Sequence, residues 1–172
     1  MKVNVNDVIY LFDLDEKPLR SLEVISFKKE TILNDINVFE FEIDIDIDIT
    51  SEQHVIFRNE RFIVDSIEES RSNENKTVTC ISALTELGQD IIEIIDIQTE
   101  EFPVAIESIS KLRGWTIGHV DDDEGRQYSM YEESKSPLDA ILTLCNIASF
   151  YLVPDTINRV LHFYKKSGID LD

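Results

Sequence analysis

The sequence VFEFEIDIDIDI, at residues 38–49, alternates apolar and acidic residues without a break. A period of two is typical of a β-strand, because successive side chains of a strand point to opposite faces. At ~3.3 Å per residue, the stretch predicts a strand on the order of 40 Å long. Its apolar face requires a hydrophobic core. Its acidic face requires water, cations, a basic partner or a solvated cavity, since neighbouring like charges cannot be buried unpaired.

The overall composition predicts a folded and strongly acidic protein. Its 172 residues are 42% hydrophobic, which is enough for one domain or two small ones with packed cores. Acidic residues outnumber basic ones by 35 to 16, and the formal net charge is -19. This charge disfavours binding to nucleic-acid phosphates and to anionic membranes, and favours basic partners or cations. Because no apolar run is long enough for a leader or a membrane span, we expect a soluble protein.

Short apolar runs flank the long strand on both sides. Five further strands are predicted, at residues 8–12, 22–27, 55–57, 62–67 and 77–83. Acidic residues and Pro18 predict a turn at residues 13–18, and Asn59 lies in a predicted hairpin loop at residues 58–61. Six strands without an intervening helix predict an antiparallel β-barrel or sandwich, which we assign to residues 1–90.

Helical signals begin only after residue 90. Residues 91–97 favour a strand, although their pattern also fits a helix face. One helix is predicted from Phe102 to a stop at Gly114, and a second begins after Ser136 as its cap. Two strands follow each helix, at residues 115–120 and 128–131 and then at 150–153 and 159–165. The sequence therefore predicts an α+β fold in which residues 91–172 form a smaller α+β domain with two helix-strand-strand units.

The acidic stretch invites comparison with a calcium-binding loop. Asp44, Asp46 and Asp48 have the spacing with which such a loop begins, but Ile49 and Val55 stand where it needs Gly and Glu. Alternating isoleucines also favour an extended backbone, which spreads the carboxylates along a strand. We therefore predict a solvated acidic face and no metal site.

The remaining chemistry-bearing residues form no motif. The histidines, His54, His119 and His162, are scattered and pair with no nucleophile motif or second metal-binding His. Cys80 and Cys145 lie in apolar contexts, which is typical of reduced and buried thiols. We therefore predict no catalytic residue and no cofactor, and hence a protein that is not an enzyme.

Trp115 and the acidic run at residues 121–125 leave one alternative function open. A tryptophan can stack on a sugar, although its place in an alternating strand favours the core. The acidic run favours a hairpin loop, since nothing identifies two carboxylates at the separation that glycosidases need. The alternative is a module that binds or hydrolyses cell-wall glycan through the acidic loops and Trp115.

Six stretches together resemble the N-terminal region of the phage minor structural proteins, also described as prophage tail-associated lysins or endopeptidase tail proteins. They cover nearly the whole chain in order, and none is a catalytic signature. The stretches are VIYLFDLDEKPL at residues 8–19, FEFEIDIDIDI at 39–49, FRNERFIVDSIEES at 57–70, GWTIGHV at 114–120, EESKSPLDAI at 132–141 and RVLHFYKKSG at 159–168.

This resemblance implies a fold similar to that of phage baseplate hub proteins. It implies a structural role in a ring, usually a homotrimer, that closes the distal end of the tail tube beneath the distal tail protein. The expected location is the virion tail tip, after assembly in the bacterial cytoplasm. Lytic or receptor-binding modules follow this region in longer family members, so the chain, which stops at residue 172, is expected to be a fragment or a truncated product.

The hub resemblance gives the acidic strand a specific expected role. In a ring through which DNA passes, a wall carrying Glu42, Asp44, Asp46 and Asp48 would repel phosphates and keep the duplex from adhering. This hypothesis requires that the acidic face line the lumen.

Overall fold

The computed structural model describes residues 8–31, 35–109 and 114–166. Within these residues the chain forms twelve β-strands and two α-helices, which confirms the predicted α+β class. It divides into two compact units, and the boundary between them along the chain lies between Ala83 and Leu84. The assignment of separate domains to residues 1–90 and 91–172 stays a prediction.

The first unit contains a single antiparallel sheet of seven strands in the order β2-β1-β5-β6-β7-β4-β3. The strands are β1 (Ile9–Phe12), β2 (Pro18–Leu22), β3 (Ser26–Glu30), β4 (Val38–Asp44), β5 (His54–Phe57), β6 (Glu60–Ser70) and β7 (Asn75–Ser82).

The sheet rolls around an aromatic cluster. Phe27 of β3 and Phe57 of β5 have ring centroids 5.0 Å apart, although three strands separate β3 from β5 in the sheet. In a flat sheet with strands ~4.8 Å apart, the two would lie on the order of 19 Å from each other. Phe39 of β4 stacks on Phe57 at 4.5 Å inside the roll. Because β2 and β3 end the strand order unpaired with each other, the predicted barrel or sandwich is a partly open barrel.

The first strands differ from the prediction. The expected strand at residues 22–27 is wrong, since β2 ends at Leu22 and β3 begins at Ser26. Pro18 begins β2 and does not lie in a turn before it. A proline is tolerated there because β2 is the outermost strand, where a missing N–H breaks no ladder. The predicted hairpin at Asn59 is confirmed, and Arg58 and Asn59 both have the positive φ that its tight turn needs.

The second unit contains two smaller sheets and both α-helices. Its elements are a 3-10 helix (Ala83–Gly88), β8 (Ile92–Glu101), α1 (Phe102–Ser108), β9 (Thr116–Val120), β10 (Gln127–Lys135), α2 (Pro137–Ala148), β11 (Phe150–Asp155) and β12 (Val160–Lys165). Strands β8 and β10 form an antiparallel ribbon, and β11, β12 and β9 form a sheet in that order. The predicted strand at residues 91–97 is therefore confirmed as part of β8.

The order of the two helix-strand-strand units is confirmed, but the expected pairing of β9 with β10 is wrong. β9 runs parallel to β12, and β10 pairs with β8. The loop after β9 therefore carries the chain from one sheet to the other. Gly118 permits the parallel pairing, because a Cβ there would lie 2.6 Å from side-chain atoms of both Val160 and His162.

The two helices differ in how closely they follow the sequence signals. The predicted cap of α2 is confirmed, since the Ser136 hydroxyl accepts the Asp139 N–H at 3.1 Å. α1 is shorter than predicted and ends at Ser108, where Ile109 leaves the helical region with ψ 81. The last part of the predicted helix, at residues 110–113, lies outside the described residues. Phe102 of α1 stacks on Phe150 at 4.1 Å and anchors the core of this unit.

Candidate functional site

The apolar and acidic faces of β4 separate as the sequence predicts. Phe39, Phe41 and Ile43 are fully buried in the barrel. Glu42 and Asp44 point to the other side of the strand. Glu42 is half-buried because it lies between Ser26 of β3 and Thr77 of β7, and it accepts the Ser26 hydroxyl at 3.0 Å.

The predicted length of this strand is wrong, since β4 ends at Asp44 and not at Ile49. Its partner β7 begins at Asn75, directly opposite Asp44, and beyond this pair the Ile45 N–H donates to the Glu74 carbonyl at 3.1 Å. The Asp44 carboxylate accepts the Asp46 N–H at 2.9 Å, and its carbonyl accepts the Ile47 N–H at 3.2 Å. Asp44 therefore turns the chain out of the sheet by hydrogen-bonding its own backbone.

Of the four predicted site carboxylates, two therefore lie on a β-strand and two lie in the loop that follows it. Glu42 and Asp44 lie on β4, whereas Asp46 and Asp48 lie in the segment that follows it, and both of these are exposed. We refer to these four residues as the acidic edge. They remain adjacent along the chain, but they do not form one continuous strand face.

Two basic side chains bind backbone carbonyls at residues 47 and 48, where the acidic edge ends. Lys76 donates its Nζ to the Ile47 carbonyl at 3.1 Å, and Arg20 donates to the Asp48 carbonyl at 2.5 Å. These contacts fix the backbone of the segment without using its exposed carboxylates. The segment therefore presents negative charge from a tethered position, and an Asp44 oxygen that a calcium loop would use accepts a backbone N–H instead.

A polar network that the sequence did not indicate joins β9 to β12 in the second unit. Asp121 accepts a hydrogen bond from the Lys165 N–H at 2.8 Å and lies 2.7 Å from His119 Nε2. The His119 N–H donates to His162 Nδ1 at 3.0 Å. The hydrogen bonds from His119 and Lys165 hold the pKa of the Asp121 carboxyl below its ordinary value. No local motif could reveal this network, because the two hydrogen bonds that join its β9 side to its β12 side span 43 and 44 residues.

Asp123 forms the buried part of the acidic loop. It accepts the Tyr128 hydroxyl and lies 3.2 Å from Lys165 Nζ, and only 7% of its surface is exposed. Burial, followed by the hydrogen bond to Asp123, raises the pKa of Tyr128 to about 12. The cavity beside this loop has a volume of about 120 Å3. Pockets that enclose small-molecule ligands are typically ~300 Å3 or larger, so this cavity is smaller than a typical ligand pocket.

Trp115 lies in the core, as its sequence context favours. It is 3% exposed, and its indole N–H donates to Glu86 at 3.1 Å. Glu86 also accepts two hydrogen bonds from Arg159, at 3.0 and 3.2 Å. A buried and hydrogen-bonded indole cannot serve as a stacking platform, so the glycan-binding role considered for Trp115 is wrong.

Both cysteines are free and buried, which confirms the prediction of reduced thiols. Burial raises the pKa of the Cys80 thiol far above its usual range, and the Asp65 charge adds to this effect. Burial also raises the pKa of Cys145 to about 12. Neither thiol has the low pKa that a reactive cysteine requires.

Neither described helix has the length and apolar character needed to cross a membrane.

The chain is similar to known proteins in structure and not in sequence. No family model matches the sequence, and no curated protein is significantly similar to it. A prophage tail protein, gp18 of Listeria monocytogenes, is similar over 92% of this chain with a TM-score of 0.71 and 18% identity. The aligned region is 50% of that protein.

Two further solved structures share the fold. One is an E. coli protein described as a component of the type VI secretion system with structural similarity to the T4 bacteriophage tail proteins gp27 and gp5. It aligns over 85% of this chain and 46% of its own length, with a TM-score of 0.60 and 13% identity. The other is a tail protein of Neisseria meningitidis, aligned over 91% of this chain and 50% of its own, with a TM-score of 0.60 and 11% identity. The chain thus shares the fold of these tail and secretion-system proteins and spans about half of their length.

Proposed function

We propose that the protein is a structural component of a phage or prophage tail and carries out no catalysis itself. The observation that supports this most strongly is the shared fold over 92% of the chain with a prophage tail protein. The similarity includes both units, since 92% cannot be reached by either unit alone. The alternative, a glycan-binding or glycan-hydrolysing function, is not favoured, because Trp115 is buried and the cavity beside the acidic loop is small.

Within the tail, the proposed place is the tip, in the baseplate hub. The chain would form the N-terminal part of a tail-associated protein that docks at the distal end of the tail tube, as a homotrimer with the distal tail protein as neighbour. One supporting observation is the resemblance to a secretion-system protein that is itself described as similar to gp27 and gp5. The tail-associated lysin family suggested by the sequence is part of this proposal.

The tail-tip role can be tested on assembled particles. Tails from the induced prophage would be purified, labelled with an antibody against this chain and imaged, while quantitative mass spectrometry counts its copies. We expect label at one end of the tail and three copies per particle. Label along the tube or on the head would contradict the tip position. A copy number of six would contradict the trimer but leave a tail role in place.

The acidic edge has a proposed role in the same assembly. If Glu42, Asp44, Asp46 and Asp48 line the lumen, their charges repel DNA phosphates and prevent adhesion during passage. The hydrogen bonds from Lys76 and Arg20 to the backbone at residues 47 and 48 support this role, because they hold the end of the acidic edge in place.

Charge reversal in assembled tails tests this role. Tails with both Asp46→Lys and Asp48→Lys should eject DNA more slowly, and more so at low salt, because exposed charges are screened at high salt. A Glu107→Lys control, at an exposed position of α1 in the second unit, should leave ejection unchanged. Normal ejection by the double variant would leave only a solvated face.

A further inference from the structure

The ribbon of β8 and β10 has two faces of different character. Its inner face carries Ile95, Ile97 and Met130, all of which are buried. Its outer face carries Ile94 and Asp96 on β8, which lie opposite Glu133 and Tyr131 on β10. We refer to these four outward residues as the ribbon face.

The centre of the ribbon face is apolar and open to water. Ile94 is 60% exposed and Tyr131 is 59% exposed. The two are diagonal neighbours across the strand pair, since Ile94 lies opposite Glu133 and Tyr131 lies opposite Asp96. Diagonal neighbours on one sheet face lie on the order of 7–8 Å apart, within reach of an aromatic ring. Grouped apolar side chains on a polar-rimmed surface are typical of an interaction site.

Two carboxylates rim this apolar centre. Glu133 accepts the Tyr131 hydroxyl at 2.5 Å, and Asp96 accepts the Gln98 amide at 2.9 Å. These hydrogen bonds hold both carboxylates beside the apolar pair. The one from Tyr131 to Glu133 also raises the pKa of that tyrosine. An ordinary tyrosine is already neutral at pH 7, so the ring adds no further negative charge.

The charges on the ribbon face indicate which kind of partner fits. A second copy docked on it through the same face would set Asp96 and Glu133 against their own counterparts. Like charges placed across an interface oppose association. Lysine or arginine side chains would instead pair with Asp96 and Glu133, and a cation can also lie against the Tyr131 ring.

We infer that the ribbon face docks an extended, basic segment of another protein. An apolar side chain of that segment would cover Ile94 and Tyr131, and its basic side chains would pair with Asp96 and Glu133. This inference depends on the ribbon alone and does not depend on the proposed place in a tail.

The experiment uses synthetic octapeptides and the intact chain. Titration calorimetry would compare peptides that alternate lysine with valine, lysine with serine, and glutamate with valine. We expect the lysine-valine peptide to bind, the lysine-serine peptide to bind at least about tenfold more weakly, and the glutamate-valine peptide not to bind. Equal binding of both lysine peptides would overturn the inference, because attraction to an acidic protein alone would explain it.

Substitutions then locate the binding. Ile94→Ser and Tyr131→Ser should each weaken the lysine-valine peptide about tenfold. Ile25→Ser, at a position 58% exposed in the first unit, is the matched control and should leave the affinity unchanged. A joint Asp96→Asn and Glu133→Gln variant should bind with a smaller salt dependence.

Three results would overturn the inference. The first is full affinity in both serine variants, and the second is equal weakening in the Ile25 control. The third is a concentration-dependent dimer that Ile94→Ser abolishes, since it would assign the ribbon face to a second copy. Circular dichroism of each variant separates loss of binding from loss of fold.

Discussion

The two units stabilise themselves in different ways. The first rolls one sheet around clustered phenylalanines, with Phe39 stacked on Phe57 at 4.5 Å and tilted against Phe62 at 5.2 Å. The second joins two small sheets and two helices around its own aromatic core. Polar contacts join distant segments in both units, and those of the second unit include two aspartates that share one lysine. Asp121 and Asp123 both contact Lys165.

This difference indicates how each unit should respond to change. Apolar burial in the first unit scales with the area removed from water, so single truncations are costly there. A polar contact in the second unit replaces contacts with water, so its net contribution is smaller, and it varies with pH. Truncation in the first core should therefore cost the most, and loss of a single exposed polar contact the least.

Truncating Phe39 should be the most damaging change. Phe39 is fully buried and contacts several other rings, so Phe39→Ala should lower the free energy of unfolding by about 3–5 kcal/mol. Urea unfolding monitored by circular dichroism measures the loss. Ile25→Ala, at an exposed position in the same unit, should change stability little. If Phe39→Ala costs no more than the polar substitutions below, the contrast between the units fails.

Replacing Asp123 should be the costliest polar change in the second unit. Asp123→Asn removes the charge that pairs with Lys165 and weakens the bond from Tyr128, and it should cost about 1–3 kcal/mol. The pKa of Tyr128 should fall from about 12 towards its ordinary value without reaching it, because burial remains the larger cause. Phenol NMR signals follow this titration. Asp122→Asn, at an exposed neighbour, should leave the pKa of Tyr128 in place.

Crowding the parallel pair should have a similar or slightly smaller effect. Gly118→Ala places a methyl group 2.6 Å from atoms of Val160 and His162, and should cost about 1–3 kcal/mol. The control is Gly88→Ala, where the new methyl group would meet only the Leu138 side chain, at 3.9 Å. Equal thermal unfolding of the two variants would show that β12 adjusts without cost.

Removing the cap of α2 should have a modest effect. Ser136→Ala deletes the acceptor for the Asp139 N–H and should destabilise the protein by about 1 kcal/mol. Ser136→Thr keeps the hydroxyl, which accepts the Asp139 N–H and donates to the Asp139 carboxylate, and should recover most of the loss. If both variants unfold alike, the hydroxyl contributes nothing as a cap.

The smallest expected effect is a change in pH dependence. The pKa of Asp121 is lowered in the folded protein, so its contribution to stability is present above the unfolded value of ~3.9 and is lost as the pH falls through the folded value. Asp121→Asn should therefore flatten the acid side of the stability curve. The pKa of Asp155 is also lowered, by hydrogen bonds from Asn158. Asp155→Asn should therefore flatten the acid side of the stability curve in the same direction. An unchanged acid limb in Asp121→Asn would contradict the assignment.

The sequence predicted best where a pattern is local. The alternation from Phe39 to Ile43 correctly assigned the buried face of β4, and Ser136 with Pro137 correctly placed the start of α2. In both cases the signal and the structure lie within a few residues of each other. The acidic edge was located from the same alternation, but the proposal that it faces a lumen concerns an assembly that a single chain does not contain.

The sequence failed where a partner strand decides. The alternation continues through Ile49, yet β4 stops at Asp44 because β7 begins at Asn75. The pattern after β9 suggested a return strand, yet β9 pairs with β12 and β10 with β8. A period of two records which face a residue can occupy, but it contains no information about which strand lies alongside.

The sequence by itself therefore determined the α+β class, the apolar face of β4, the hairpin at Asn59 and the cap of α2, because these depend on neighbouring residues. Only the tertiary structure decided the end of β4, the separation of β9 from β10, the hydrogen bond from Trp115 to Glu86 and the network around Asp121. Each of these depends on groups that are distant in sequence. Such groups meet only when hydrogen bonds and packing across the whole unit are satisfied together.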